Sequence, residues 1–261
     1  MKQHLRPTLL YIILPLLLIS LPLLWQVRAA ASAKPIDWYF KPTNDHSQPV
    51  VCPEASFLKQ YHNVISLGNA TQKTLYLTFD AGFDNGYHDD ILDTLREKGV
   101  KAAFFVDGNF VKSNPDLVKR IVEEGHILGN HTLKHPDMSA ITDFDAYKAQ
   151  IEGWETLVKE AGATPTKFFR FPSGKFSEKC MEYNQKLGLT TVFWSFAYYD
   201  WDTDAQPGET AALQKMVSRM HNGAVVLLHS TSATNAEILD DYIELMVKDG
   251  YTFKPLNEFA G

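Results

Sequence analysis

Two histidines are spaced to share an ion. His131-Thr132-Leu133-Lys134-His135 is an H-x3-H pair. In a helical turn this spacing puts both imidazoles on one face, able to chelate one metal. Pro136 follows directly and excludes a long helix there. Such a pair does hydrolytic work when a base stands beside it. Zinc proteases carry that base between the histidines, as in H-E-x-x-H. Here Thr132 and Leu133 cannot serve, so the base must come from another segment. Asp80, in Thr78-Phe79-Asp80-Ala81-Gly82, is the residue suited to it. A nearby metal would hold its carboxylate ionised, ready to take a proton from water. Arg170, which opens Arg170-Phe171-Pro172-Ser173-Gly174, is a fixed cation that would pair with Asp80 and orient it. His229 suits the opposite task, protonating a poor amine leaving group near neutral pH. Asp200 would keep that imidazole cationic and aligned, and Trp201 beside it would wall a pocket.

These residues must be brought together by the elements that precede them. Strand patterns occur at 75–79, 102–106, 126–129, 167–170, 191–195, 224–228 and 251–253. Helical spacing of apolar residues fills the intervals. One helix contains Ile91, Leu92 and Leu95 and ends at Gly99, and another opens at Pro115 with Asn114 as its cap. A long one runs from Thr142 to Ala161, and Ser177 caps the next. Glu209 to Met220 is helical, and Thr234 with Glu237 forms a capping box for a helix reaching Lys248. Alternating strands and helices predict an α/β fold with parallel strands inside, and about seven units predict a barrel, closed or incomplete. Barrels of this kind carry their chemistry just past the C-terminal ends of the strands. Asp80, the histidine pair, Arg170, Asp200 and His229 all stand at such ends, so five strands deliver them to one rim.

The ends of the chain point to a compartment. Residues 1–33 begin with Lys2, His4 and Arg6, continue in an uncharged apolar run from Thr8 to Trp25, and close on Ala29-Ala30-Ala31-Ser32-Ala33. This pattern predicts a secretory signal cleaved after Ala31 or Ala33, or else a membrane anchor through residues 8–25. Either way the remainder is exported, to the cell envelope or the medium. Residues 34–70 form a leader punctuated by Pro35, Pro42, Pro49 and Pro53, and residues 71–261 suit one catalytic domain. A net charge of −6 gives no electrostatic case for nucleic acid, and no motif indicates a protein partner. Cys52 and Cys180 either pair, tying leader to domain, or remain buried thiols.

With these motifs in place, the chain resembles the polysaccharide deacetylases that carry a NodB-homology domain (carbohydrate esterase family 4), over roughly residues 74–258. Thr78-Phe79-Asp80 matches the family's Thr-Phe-Asp-Asp, and His131 to Pro136 matches His-Ser/Thr-x-x-His-Pro. Arg170 to Gly174 matches the Arg-x-Pro motif with its following Gly, and Leu227-Leu228-His229 matches Leu-x-His. The fourth motif, Asp-x-x-Asp-Trp, matches only at Asp200-Trp201, because Ala197 replaces its first Asp. The resemblance implies a distorted (β/α)7-type barrel and a divalent ion, Zn2+ foremost, on His131 and His135. It implies Asp80 as base, His229 as acid, Arg170 and Asp200 as their partners, and Leu227 lining the acetyl pocket. An N–H near Ser173 would serve the oxyanion, and Trp201 would contact substrate.

The departures narrow the reading. The family's second Asp, normally a metal ligand, is Ala81 here. Asp84, Asn85, Asp80 or water would then complete the site. The extended run Thr-Phe-Asp-Ala-Gly-Phe-Asp-Asn-Gly from Thr78 to Gly86 resembles the delta-lactam-biosynthetic de-N-acetylases of spore formers. Phe176-Ser177-Glu178, Trp194-Ser195-Phe196-Ala197 and Asn235-Ala236-Glu237 add to that likeness. It implies peptidoglycan glycan strands as substrate, with N-acetylmuramic acid deacetylated on the way to muramic delta-lactam. N-acetylglucosamine in peptidoglycan or chitin oligomers is the alternative substrate, and a catalytically impaired glycan-binding protein the alternative function.

Overall fold

A computed structural model of the chain describes residues 31–260. The basic start and the apolar run of the expected signal or anchor lie outside the described residues. Among the described residues, no helix is long and apolar enough to cross a membrane. In chain order the strands and helices are β1 (Ile36–Asp37), β2 (Phe40–Lys41), β3 (Val50–Val51), β4 (Val64–Ile65), β5 (Thr74–Ala81), α1 (His88–Glu97), β6 (Ala103–Val106), α2 (Gly108–Ser113), α3 (Pro115–Glu123), β7 (Ile127–Asn130) and α4 (Phe144–Glu160). There follow β8 (Phe168–Phe169), β9 (Lys175–Phe176), α5 (Glu178–Lys186), β10 (Thr190–Val192), α6 (Glu209–Ser218), β11 (Ala224–His229), α7 (Ala233–Lys248) and β12 (Thr252–Phe253).

The main sheet runs β11-β5-β6-β7-β8-β10-β4, and every pairing along it is parallel. A bridge from Leu67 to Ala224, with Gly68 N–H donating to Gly223 O at 2.8 Å, brings the last strand round to the first. The result is a nearly closed seven-stranded α/β barrel, as expected, with one exchange of staves. The segment 251–253 forms β12, which pairs only with β5 off the main path. Its place is taken by β4, from the stretch read as a leader. That stretch is further tied down by β1, which pairs antiparallel with β9, and by Trp38, stacked on Phe193 at 4.1 Å. No disulfide is used. Both cysteines are buried free thiols with different partners, Cys180 near Ser177 and Met138, and Cys52 near the Asp37 carbonyl.

Residue alternation on the staves separates two layers. On β5, Leu75, Leu77, Phe79 and Ala81 join the cluster with the helices, and Tyr76 joins the barrel interior with Ala103, Phe105 and Val225. Thr78 and Asp80 share the inner face with Tyr76. Local signals at the helix starts differ from the sequence reading in two places. Ser232, not Thr234, caps α7, accepting from Asn235 N–H at 3.1 Å, while Thr234 Oγ1 donates to Pro207 O. Asn114 caps nothing with its side chain, because the unforeseen α2 precedes it and its amide donates to Phe110 O. Ser177 does cap α5.

Gly129, on β7, shows how tightly the barrel centre is filled. A Cβ there would lie inside the van der Waals surface of the Phe105 ring. That ring supports the Arg170 guanidinium, 4.2 Å from its centroid. Gly129→Ala is therefore expected to cost about 1–3 kcal/mol through overpacking, read as a lower urea midpoint at unchanged slope. An unshifted midpoint would show that Phe105 has room to move.

Candidate active site

The strand register aligns the chemical groups. His229 pairs with Asp80 across β11 and β5, Asp80 with Phe105 across β5 and β6, and Asn130, just before His131, with Phe169, just before Arg170. All five predicted ends therefore open on one rim. They surround a cavity of about 520 Å³, lined among others by Asp80, His131, His135, Ser173, Leu227 and His229. Trp201 also lines it, half exposed, with its ring 6.0 Å from that of His229. Arg170 and Asp200 lie behind the wall.

Arg170 is wholly buried and spends three donors. Nη1 donates to Asp80 Oδ1 at 2.6 Å, Nη2 to Thr78 Oγ1 at 2.8 Å, and Nε to the Val192 carbonyl at 3.1 Å. Thr78 passes a further bond to Val226 O at 2.7 Å. This fixes the Asp80 carboxylate and leaves Oδ2 facing His131 Nε2 at 3.7 Å. Burial alone would raise the Asp80 pKa, but Arg170, followed by His131 and His229, holds it below its ordinary value.

The histidine pair does not sit on a helix. His131 follows β7, and His135 lies in a loop with φ 52°, as Thr132 does with φ 73°. Left-handed backbone at a β-branched residue is strained, and here several bonds hold it. Thr132 N–H donates to Asn130 Oδ1, His135 N–H to Thr132 Oγ1, and Gly108 N–H to Thr132 O. The loop still brings the two Nε2 atoms to 3.1 Å. His131 Nδ1 lies 3.0 Å from the Arg170 carbonyl, which can only accept, so Nδ1 carries the proton and the Nε2 lone pair faces outward. Burial lowers its pKa to about 4, so it stays neutral. Two imidazole nitrogens converging at this distance fit one divalent ion, since zinc–nitrogen bonds of about 2.0–2.1 Å at a tetrahedral angle separate two ligands by roughly 3.3 Å. Among the described residues, no group of three His, Cys, Asp or Glu side chains could hold a metal. Asp84 and Asn85, considered above as a third ligand, are engaged elsewhere. Asp84 bonds His88 Nδ1 at 2.7 Å and Asn85 donates to Thr231 O at 3.0 Å, and neither lines the cavity.

Opposite this pair, Asp200 holds His229. Its Oδ1 accepts from Nδ1 at 2.8 Å, and its Oδ2 accepts from the His229 backbone N–H at 2.8 Å. Burial would lower the imidazole pKa, but the hydrogen bond and charge of Asp200, with Asp80 adding, raise it above the ordinary histidine value. Ser173 lines the cavity in a left-handed conformation, φ 54°.

The sequence reading missed Thr78, Tyr198 and Asn235. Thr78 was recoverable, because it sits two residues before Asp80 and so shares its face. Tyr198 lines the cavity, while Asn235 is buried in the first turn of α7 with its amide on Asp200.

A family model described as polysaccharide deacetylase matches residues 67–192. The chain is 42% identical over 233 residues to an uncharacterized 30.6 kDa protein of Geobacillus stearothermophilus, covering 89% of this chain and 88% of that protein. It is 40% identical over 230 residues to the peptidoglycan-N-acetylmuramic acid deacetylase PdaA of Bacillus subtilis, covering 88% and 87% respectively. The solved structure of Bacillus subtilis PdaA, a family 4 carbohydrate esterase, superposes with a TM-score of 0.82 at 39% identity, covering 87% of this chain and 97% of that one.

Proposed function

The chain belongs to the polysaccharide deacetylase family, and from that premise we propose that it hydrolyses the N-acetyl group of N-acetylmuramic acid in peptidoglycan. Acetate leaves, and the freed amine becomes able to close on the lactyl carboxyl as muramic delta-lactam. The observation that carries the reading is a carboxylate and an imidazole facing each other across one register pair, each held by its own partner. Arg170 holds the Asp80 pKa below its ordinary value, and Asp200 raises that of His229.

Asp80 takes the proton of the attacking water through Oδ2, its Oδ1 being committed to Arg170. A backbone N–H at Ser173 serves the developing oxyanion. Leu227 packs against the acetyl methyl, and Trp201 flanks the sugar. His229, with Nδ1 on Asp200, delivers the proton of Nε2 to the departing amine. His131 and His135 would hold a divalent ion, zinc by the chemistry of its imidazole ligands, which supplies Lewis acidity to water and to the acetamide carbonyl. The signal-like residues 1–33 and the wall polymer named in the activity of PdaA support work outside the cytoplasm, in the cell envelope.

Acetate release should be compared on peptide-free glycan, intact peptidoglycan and chitin oligomers. Preference for the peptide-free glycan is the expected result. Preference for chitin oligomers would move the substrate to N-acetylglucosamine, and no release from any would leave a glycan-binding protein.

The raised His229 pKa sets the pH dependence. An acid must be protonated to act, so a raised pKa extends activity upward. The alkaline limb of kcat is expected above the ordinary histidine pKa of about 6.5. Asp200→Asn should move that limb down and lower kcat by about 10²-fold or more. A limb that stays put in a folded Asp200→Asn protein would dissociate His229 from proton donation.

A further inference from the structure

We propose that Asn235 is a positioning residue for this reaction, its side-chain amide locking the carboxylate of Asp200, and through it the imidazole of His229, in one orientation. The inference rests on reading His229 as the proton donor. Asn235 Nδ2 donates to Asp200 Oδ2 at 2.7 Å and to the His229 carbonyl at 2.9 Å. Its Oδ1 accepts from the Tyr198 hydroxyl. Both amide hydrogens and the oxygen are thus spent, and Asn235 is buried. A flipped amide would set its oxygen against a carboxylate and a carbonyl, so this orientation alone is stable. Burial raises the Tyr198 pKa, with Asp200 adding, so the hydroxyl remains a donor.

The position is itself held. Asn235 N–H donates to Ser232 Oγ in the cap of α7, leaving the side chain free of any duty to its own helix. Gln206 ties the loop carrying Asp200 to the same turn. Its Nε2 donates to Asp200 O at 3.0 Å and Asp202 O at 2.7 Å, and its Oε1 accepts from Ser232 Oγ at 2.5 Å. The charged groups acting on His229 are Asp200 from this loop, Asp80 from β5 and Arg170 from beyond β8. Of these, only Asp200 bonds the imidazole, and Asn235 joins the His229 backbone N–H in fixing which oxygen it presents. With the amide absent, Oδ2 keeps only that backbone N–H, and the carboxylate turns more easily away from the imidazole.

Asn235→Leu keeps the branched outline of the side chain and removes both donors, and Asn235→Ala removes them without added bulk. Each is to be compared with the intact protein by 15N-edited NMR titration of His229 and by kcat, KM and pH profile on peptide-free glycan. The expected result is loss of the downfield Nδ1 proton signal and a fall of the His229 pKa toward the ordinary value. The alkaline limb should shift down with it, and kcat should drop by about 10- to 100-fold while KM changes little. An unchanged His229 titration and pH profile in either folded variant would overturn the proposal. If the wild type releases no acetate, the proton-donor reading fails, and the NMR comparison still decides whether Asn235 orients the pair.

Discussion

Asp80→Asn is expected to lower kcat for acetate release by about 10²–10⁴-fold, with KM little changed, because it removes the proposed general base; it also takes the partner charge from buried Arg170, so stability is read beside activity. Asparagine keeps the shape of the side chain. Its carbonyl oxygen can still accept from Arg170 Nη1, where the native bond is 2.6 Å. What is lost is the second oxygen, the one that faces His131 Nε2 at 3.7 Å, replaced by an amide that cannot accept a proton. The measurement is acetate release from peptide-free glycan, beside circular dichroism to confirm the fold. Undiminished release by a folded variant would remove Asp80 from the role of base and send the search to the other cavity-lining groups.

The parts of this site that could be read in sequence are those that local pattern controls. Asp80, His131, Arg170 and His229 each follow an apolar run, and a strand that must be buried on both faces ends where polarity returns. That is why the sequence pattern alone predicts their positions on one rim. It does not predict the conformation of the histidine pair. H-x3-H suggests a helical turn, yet the convergence of the two Nε2 atoms comes from two left-handed residues, Thr132 and His135, held by Asn130 and the Gly108 amide. Nothing in the spacing encodes those long-range bonds. The seventh stave was hidden for a similar reason. Val64 and Ile65 make a two-residue strand within a proline-punctuated stretch, too short for periodicity to register. Tertiary pairing with β10 makes it a strand. Asn235 was visible as a residue but not as a partner, since its contact with Asp200 spans 35 positions.

Arg170→Met separates what the buried ion pair does for the fold from what it does for the reaction. Removing the guanidinium strands a buried carboxylate at Asp80, deprives Thr78 Oγ1 and the Val192 carbonyl of donors, and takes the cation off the Phe105 ring. Breaking one half of a buried pair costs about 3–5 kcal/mol, so the single variant should unfold at markedly lower urea and lose activity. The double variant Asp80→Leu/Arg170→Met fills the same space with apolar groups and leaves no buried charge. Such replacements are often neutral or stabilising, so its urea midpoint should recover most of the loss, while acetate release stays abolished. Recovery of stability without activity would mean that the pair is kept for its chemistry, at no net gain to the fold. A double variant as unstable as Arg170→Met alone would instead place the cost in the Thr78 and Val192 bonds, and make Arg170 first a structural strut of the barrel interior.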